Sequence, residues 1–415
     1  MQNTTKKLKK AIVLGGGGSK GSYQIGAWKA LRELQIDYDI VTGTSIGSFN
    51  GVLMVQDDFE RALDLWMGID IDKVIINGLN LRTDFNYYRD HSDKLLPFLK
   101  SYADNKGMDI TPLKRLLSEY IHEDKFFKSH INYGLVSVKF PSMKPCQKAK
   151  DTIQHDSLKD WILASCSCFP AFPIYKIGDD GYIDGGYYDN LPINFAFMLG
   201  AEQIIAIALN PNPHEYSNHP LVRCIQPKES LGSMLDFDNA TISENITLGY
   251  LDTMKSFGKI RGNNFSFYDL DMKQYNDAFI RTLSKILHDE ATTHYEASSF
   301  ELLQKIVNIS NNTPIHNRIL ELLTSSLKLP DGFINTLSLL PRTTYLENFV
   351  LALIESQMYY FEFDVLQIHT IPNVLQDIWQ KSRDFLHNQN ITSLSNDITD
   401  REFLSVILCY FMESL

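Results

Sequence analysis

The first 56 residues alternate short unbroken apolar runs with longer stretches in which apolar residues recur every three or four positions. Ala11-Ile12-Val13-Leu14 is an apolar run bounded by lysines before it and glycines after it, the pattern of a strand covered on both faces. Residues 20–34 carry apolar positions at helical spacing, residues 38–42 read as a second strand, and Phe49, Val52, Leu53 and Val55 predict a helix that follows Ser45 and ends near Gln56. Strand, glycine loop, helix, strand, tight elbow and helix in that order make a right-handed crossover unit of a parallel sheet.

Downstream the pattern changes twice. Residues 59–128 are mostly helical in pattern and rich in aromatics, with breakers at Pro97, Gly107 and Pro112, and are expected to cap a site built on the sheet. Residues 132–138 alternate toward a strand, residues 158–168 read as a helix, and residues 203–209 form a continuous apolar run suited to a doubly covered strand. This order favours an α/β fold. Beyond residue 270 six helical stretches follow, at 277–288, 300–308, 316–327, 346–361, 373–387 and 399–415. Only Gly332 lies beyond residue 262, so few positions there need a positive φ, and an α-helical C-terminal region is the economical reading. The stripe Phe349, Leu353 and Tyr360 reads as core packing, with a lipid-facing surface as the alternative. The 415 residues therefore divide into one large α/β domain and a helical region of unknown role over 270–415.

Composition narrows the function. A net charge of -11 disfavours a nucleic-acid partner, since phosphate binding rests on clustered Lys and Arg. The basic run Lys6-Lys7-Leu8-Lys9-Lys10 reads as a solvated leader, with peripheral contact to an anionic membrane surface as the alternative. Cys146, Cys166, Cys168, Cys224 and Cys409 are few and scattered, as reduced thiols in a cytosolic protein would be, and Cys166-Ser167-Cys168 is spaced too tightly for a zinc knuckle. No apolar run reaches the ~18 to 20 residues of a spanning helix, and the first apolar run is too short for a signal-peptide core. A cytoplasmic location is expected, with leaderless export left open. The oligomeric state is not legible.

Three motifs carry the chemistry. Gly43-Thr44-Ser45-Ile46-Gly47 falls between a predicted strand and a predicted helix, where glycines relieve crowding and a serine can stand exposed on an elbow as a nucleophile. The second motif, Gly16-Gly17-Gly18-Ser19-Lys20-Gly21, matches a dinucleotide-binding fingerprint literally, but the place for a ribose-binding carboxylate after the second strand is taken by the serine elbow. A phosphate-binding P-loop fails as well, because Ser19 stands where glycine is required before Lys20. An oxyanion hole fits better: adjacent strands ~4.8 Å apart would bring free N–H groups at Gly17 and Gly18 beside a carbonyl attacked by Ser45. Lys20 is expected to close the helix start or meet solvent. The third motif, Ile183-Asp184-Gly185-Gly186, offers a carboxylate as base.

Together, the glycine run, the Gly-x-Ser-x-Gly elbow about 25 residues on and the distant Asp-Gly-Gly resemble the patatin-like phospholipases. The resemblance covers residues 8–265 and implies a three-layer sandwich with a mainly parallel central sheet. It implies a dyad without histidine, Ser45 as nucleophile and Asp184 as base, with Gly16, Gly17 and Gly18 as the oxyanion loop and Gly21, Gly43, Gly47, Gly185 and Gly186 shaping the motifs. Ala164-Ser165 with Pro170 and Pro173 resembles the segment ahead of the family's aspartate strand. Gly186 stands where many members have alanine, and Cys166 and Cys168 stand where small residues are usual. By resemblance the substrate is a phospholipid or another lipid ester, cleaved without metal or organic cofactor. An aspartate makes a weak base at its ordinary pKa of about 3.9, so the site must be partly dry. Two rivals remain: an α/β-hydrolase whose triad uses His214 or His219, and a lipid-binding protein that carries the motifs without catalysis.

Overall fold

The computed structural model describes residues 8–76, 107–212, 214–290, 342–391 and 399–415. They pack as two units, the first running to Ser256 and the second spanning Phe257–Leu415. The helices expected at 300–308 and 316–327, much of the expected cap and the first lysines of the basic run lie outside the described residues.

In the first unit the elements follow as β1 (Lys10–Leu14), α1 (Ser22–Glu33), β2 (Ile40–Thr44), α2 (Ile46–Val55), α3 (Phe59–Gly68), α4 (Thr111–Tyr120), α5 (Glu123–Lys128), β3 (Asn132–Phe140), β4 (Lys144–Ala149), α6 (Leu158–Ser165), β5 (Tyr175–Ile177), β6 (Asp180–Asp184), α7 (Ile193–Met198), β7 (Gln203–Ile207), β8 (Val222–Ile225) and α8 (Asn239–Ser256). β1 lies between β2 and β7 and pairs in parallel with both, β2 pairs in parallel with β3, and β7 with β8. Alternation along β1 puts Ala11 and Val13 in one core with Ile193 and Ala196 of α7. On the opposite face Gly51 of α2 sits against Val41, Tyr133 and Leu14. Helices thus cover both faces of a mostly parallel sheet, the three-layer α/β arrangement that the resemblance implies.

One departure from parallel pairing positions the site. β3 pairs with β2 over residues 132–136, with antiparallel β6 over 137–140, and with antiparallel β4 over 134–139. A strand has two edges, so β4 takes one, and β2 and β6 must share the other, end to end. Thr44 is the register partner of Val136, and Asp184 that of Ser137, the next residue along β3. The C-terminal ends of β2 and β6 therefore face each other across a single position.

α1, which leaves the glycine loop, crosses α8 at two glycines. A Cβ on Gly26 would collide with the Ile246 carbonyl oxygen, and one on Gly249 with that of Tyr23. The Tyr23 hydroxyl donates to Asp252 at 2.9 Å beside this crossing. Two backbones in contact leave no other residue type room.

In the second unit β9 (Ser266–Phe267), α9 (Lys273–Glu290), α10 (Arg342–Tyr360), β10 (Ile368–His369), α11 (Ile371–Asn388) and α12 (Asp400–Ser414) are described. Phe265, Phe279, Leu353, Ile378, Leu408 and Phe411 form its core, so Leu353 packs inward as expected. The region is not purely helical, since β9 and β10 pair in parallel. The unit begins before the composition change near residue 270, because Phe265 and Phe267 pack with its helices.

Candidate active site

Ser45 links β2 to α2 with φ 55° and ψ -129°, a left-handed backbone that is costly for a residue with a side chain. Its neighbours make room for it. A Cβ on Gly43 would collide with the Gly47 carbonyl oxygen, and one on Gly47 with that of Leu14. The backbone of Ser45 is pinned on both sides: its N–H donates to Ser165 Oγ at 2.9 Å, and its carbonyl accepts from Ser48 Oγ at 2.6 Å.

Asp184 ends β6. Its N–H donates to the Ser167 carbonyl at 2.8 Å, and its Oδ1 accepts from the Gly186 N–H at 2.7 Å. Only 6% of the residue is exposed. Burial pushes its carboxyl up from 3.8 to about 6, against the opposing pull of hydrogen bonds from the Ser45 hydroxyl and the Gly186 N–H. The serine and the aspartate therefore meet, and the carboxyl has the raised proton affinity that a base near neutral pH requires. Gly185 sits where a Cβ would collide with the Val136 carbonyl oxygen.

Of the glycine loop, Gly15 donates its N–H to the Ile207 carbonyl at 3.1 Å, Gly16 to that of Asn190 at 3.1 Å, and Ser19 to that of Met234 at 2.9 Å. The N–H groups of Gly17 and Gly18 have no partner among the described residues. Gly16 serves by its smallness, since a Cβ there would stand 3.0 Å from Ser45 Cβ and 2.6 Å from Asn190 Oδ1. Gly18 needs its freedom outright, with φ 60° and the Met234 carbonyl where a Cβ would go. Gly21 gives clearance to Ile46 and Trp66. A hydroxyl bonded to a carboxyl, beside two unpartnered N–H groups, can lose its proton to the one and have a developing oxyanion held by the others.

Two cavities of different character meet at Ser45. The one that gathers the polar groups, of about 290 Å³, has a mixed lining in which Lys20, Asp184, Asn190 and Asn210 stand beside Tyr187, Leu209 and Met234. An apolar one of about 330 Å³ is walled by Phe49, Leu65, Trp66, Leu113, Leu116 and Phe237. Ser45, Cys168 and Met234 line both. Leu65 and Trp66 come from α3, and Leu113 and Leu116 from α4, so these parts of the expected cap wall the apolar side. Lys20, expected at a helix start or in solvent, lines the mixed side. No histidine among the described residues lines either cavity; His214 and His219 make ring contacts with Tyr216 instead. The described residues include no helix long and apolar enough to cross a membrane.

Sequence reasoning placed Ser165 in the segment ahead of the aspartate strand without a role, and gave none to the supporting residues Ser167, Asn190 and Met234, which hold loops remote along the chain. Asn190, close after the Asp184 motif, was the one with a local signal.

Lysophospholipase nte1 of Aspergillus terreus is 29% identical over 204 residues, which cover 47% of this chain and 12% of that protein. Patatin-like phospholipase domain-containing protein 6 of Homo sapiens is 29% identical over 204 residues, covering 48% of this chain and 13% of that protein. The chain thus spans about an eighth of the length of these relatives. Among solved structures, VipD from Legionella pneumophila aligns over 98% of this chain and 91% of its own, at 14% identity and a TM-score of 0.39. The type III effector ExoU aligns over 96% and 77%, at 14% identity and a TM-score of 0.31. Residues 12–197 match the family described as "Patatin-like phospholipase", a stretch that holds the glycine loop, Ser45 and Asp184.

Proposed function

We propose that this protein hydrolyses carboxylic esters of lipids through a Ser45 acyl-enzyme, with Asp184 as the base and the Gly17 and Gly18 N–H groups as the oxyanion hole. The observation that carries the reading is that the Ser45 side chain meets the buried Asp184 carboxyl where a cavity of mixed lining joins an apolar one. Ser45 Oγ attacks the ester carbonyl while ionised Asp184 takes its proton. The carbonyl oxygen gains negative charge against the two N–H groups, and collapse expels the alcohol, which leaves with the proton from Asp184. Water then attacks the acyl-enzyme, Asp184 takes its proton, and the fatty acid departs as Ser45 recovers a proton from Asp184.

The two cavities support one orientation for the ester. The acyl chain lies among Phe49, Leu65 and Leu116, and the leaving alcohol with its polar headgroup lies beside Lys20, Asn190 and Asn210. The names of the relatives put lysophospholipids first among substrates to test. A panel of lysophospholipids, diacyl phospholipids and neutral lipid esters, with product analysis on wild type and Ser45→Ala, is the direct experiment. Fatty acid release by wild type and none by Ser45→Ala is expected; equal release by both overturns the reading. A fluorophosphonate should label wild type and spare Ser45→Ala.

A further inference from the structure

Abutting strand ends bring Ser45 and Asp184 together, yet a productive constellation tolerates only about 0.5 Å of drift. The three residues at the end of α6 span the two. Ser165, without solvent exposure, accepts the Ser45 N–H on Oγ at 2.9 Å and donates its own hydrogen to the Val136 carbonyl at 2.7 Å. Val136 is the residue of β3 that faces Thr44, so this hydroxyl ties the elbow to the strand both ends share. The Cys166 side chain is buried beside Ser45 and Ser48. The Ser167 carbonyl accepts the Asp184 N–H at 2.8 Å, while its hydroxyl donates to the Leu163 carbonyl at 2.8 Å and anchors the segment to α6.

We propose that residues 165–167 act as a caliper fixing the distance from nucleophile to base, and that Ser165 is its positioning residue. The inference rests on the dyad reading above and adds a residue that touches neither substrate nor reacting atoms. Without Ser165 Oγ the Ser45 N–H loses its partner, and of the two side-chain hydrogen bonds that hold the left-handed backbone at φ 55° only that from Ser48 remains. The elbow relaxes and the Ser45 hydroxyl moves off the carboxyl. That hydrogen bond is one of two interactions opposing the upward push of burial on Asp184, so its loss lets the carboxyl rise above about 6. The titratable groups facing Asp184 are the thiols of Cys166 and Cys168 and the phenol of Tyr187, all pushed up chiefly by burial and neutral in this range, with the Lys20 side chain across the mixed cavity. Neither thiol nor the phenol titrates in the window that the carboxyl occupies.

The test is kcat and KM against pH for Ser165→Ala and Ser165→Cys, with thermal unfolding recorded for each and Ser45→Ala as control. The cysteine variant keeps about the size of the side chain and weakens both of its hydrogen bonds without removing the group, so it decides if the alanine variant does not fold. The expected result is a fall in kcat of about 10- to 100-fold, a KM within about twofold, and an acid limb of kcat moved up by about half a pH unit or more. A residue of merely structural importance lowers the melting temperature and leaves the limb in place. A folded Ser165 variant with wild-type kcat and limb overturns the caliper. Activity in Ser45→Ala overturns the dyad reading instead, so the two failures are distinguishable.

Discussion

At the end of β2 the chain is held by shape, and at the end of β6 by its electrical surroundings. Ser45 has a costly backbone conformation enforced by two glycines that admit no Cβ, while its side chain is only half-buried. Asp184 has an ordinary extended backbone with φ -51°, and what distinguishes it is removal from water. A nucleophile needs to be presented, which is a steric problem solved by neighbours in sequence. A carboxylate base needs its proton affinity raised, which is a problem of dielectric solved by residues from the whole first unit.

The strongest way to break this comparison is to remove each side chain in turn. Ser45→Ala and Asp184→Asn should each lower kcat by about 10⁴-fold or more in a lipid-ester assay. They should differ in stability. A carboxyl raised from 3.8 to about 6 is more protonated in the folded than in the unfolded chain between those values, so folding is penalised as pH rises through that window. The penalty is absent below about 3.8 and complete above about 6, where it reaches about 3 kcal/mol. Asp184→Asn should therefore be more stable than wild type at pH 7 by up to about that amount, with the gain gone below pH 4. Ser45→Ala should show no such pH-dependent gain, and urea unfolding at the two pH values checks both.

Two glycine substitutions probe shape against adjustability. Gly47→Ala sets a Cβ against the Leu14 carbonyl oxygen, a backbone atom that cannot step aside, and should cost about 10²-fold in kcat and about 1–3 kcal/mol of stability. Gly186→Ala meets side-chain oxygens of Asn190 and Asp184 at 3.0 and 3.2 Å, which can yield, and should stay within about tenfold of wild-type kcat. Smaller again is the pH response of wild type: Asp184 acts only when ionised, so kcat should fall about tenfold per unit as pH drops below about 6. The gentlest test concerns the apolar cavity. Leu116→Phe should shift preference toward shorter acyl chains, with kcat/KM changing about fourfold for each methylene excluded, measured on a series of ester chain lengths.

The same contrast explains what could be read from the chain. The unit β1–α1–β2–α2 and the serine elbow were legible because their constraints are local: apolar runs, helical spacing and glycines where no Cβ fits. β2 was placed two residues early, since the strand continues into the glycine motif as far as Thr44. β4 escaped notice because Lys144-Pro145-Cys146-Gln147-Lys148-Ala149 carries no apolar alternation and none of it is buried. β5, with 3 residues, and β8, with 4, are too short to show a period. The glycine run told that the Gly17 and Gly18 N–H groups would be available but not what would hold the loop that presents them. Gly16 finds its acceptor in Asn190, 174 positions away along the chain, and that pairing belongs to the fold alone.

The crossing of α1 with α8 sets a timetable for the making of this protein. Ser45, Asp184 and the glycine loop have all left the ribosome once residue 191 has emerged, yet Ser19 is tethered by the backbone of Ser233 and Met234, and Gly26 lies against a helix centred near Gly249. Until that later stretch is translated, the loop expected to receive the oxyanion has its ties to Asn190 and Ile207 but lacks those to Ser233 and Met234. On the proposed reading, a nascent chain that already carries its serine and aspartate completes its site only with the last helix of the first unit.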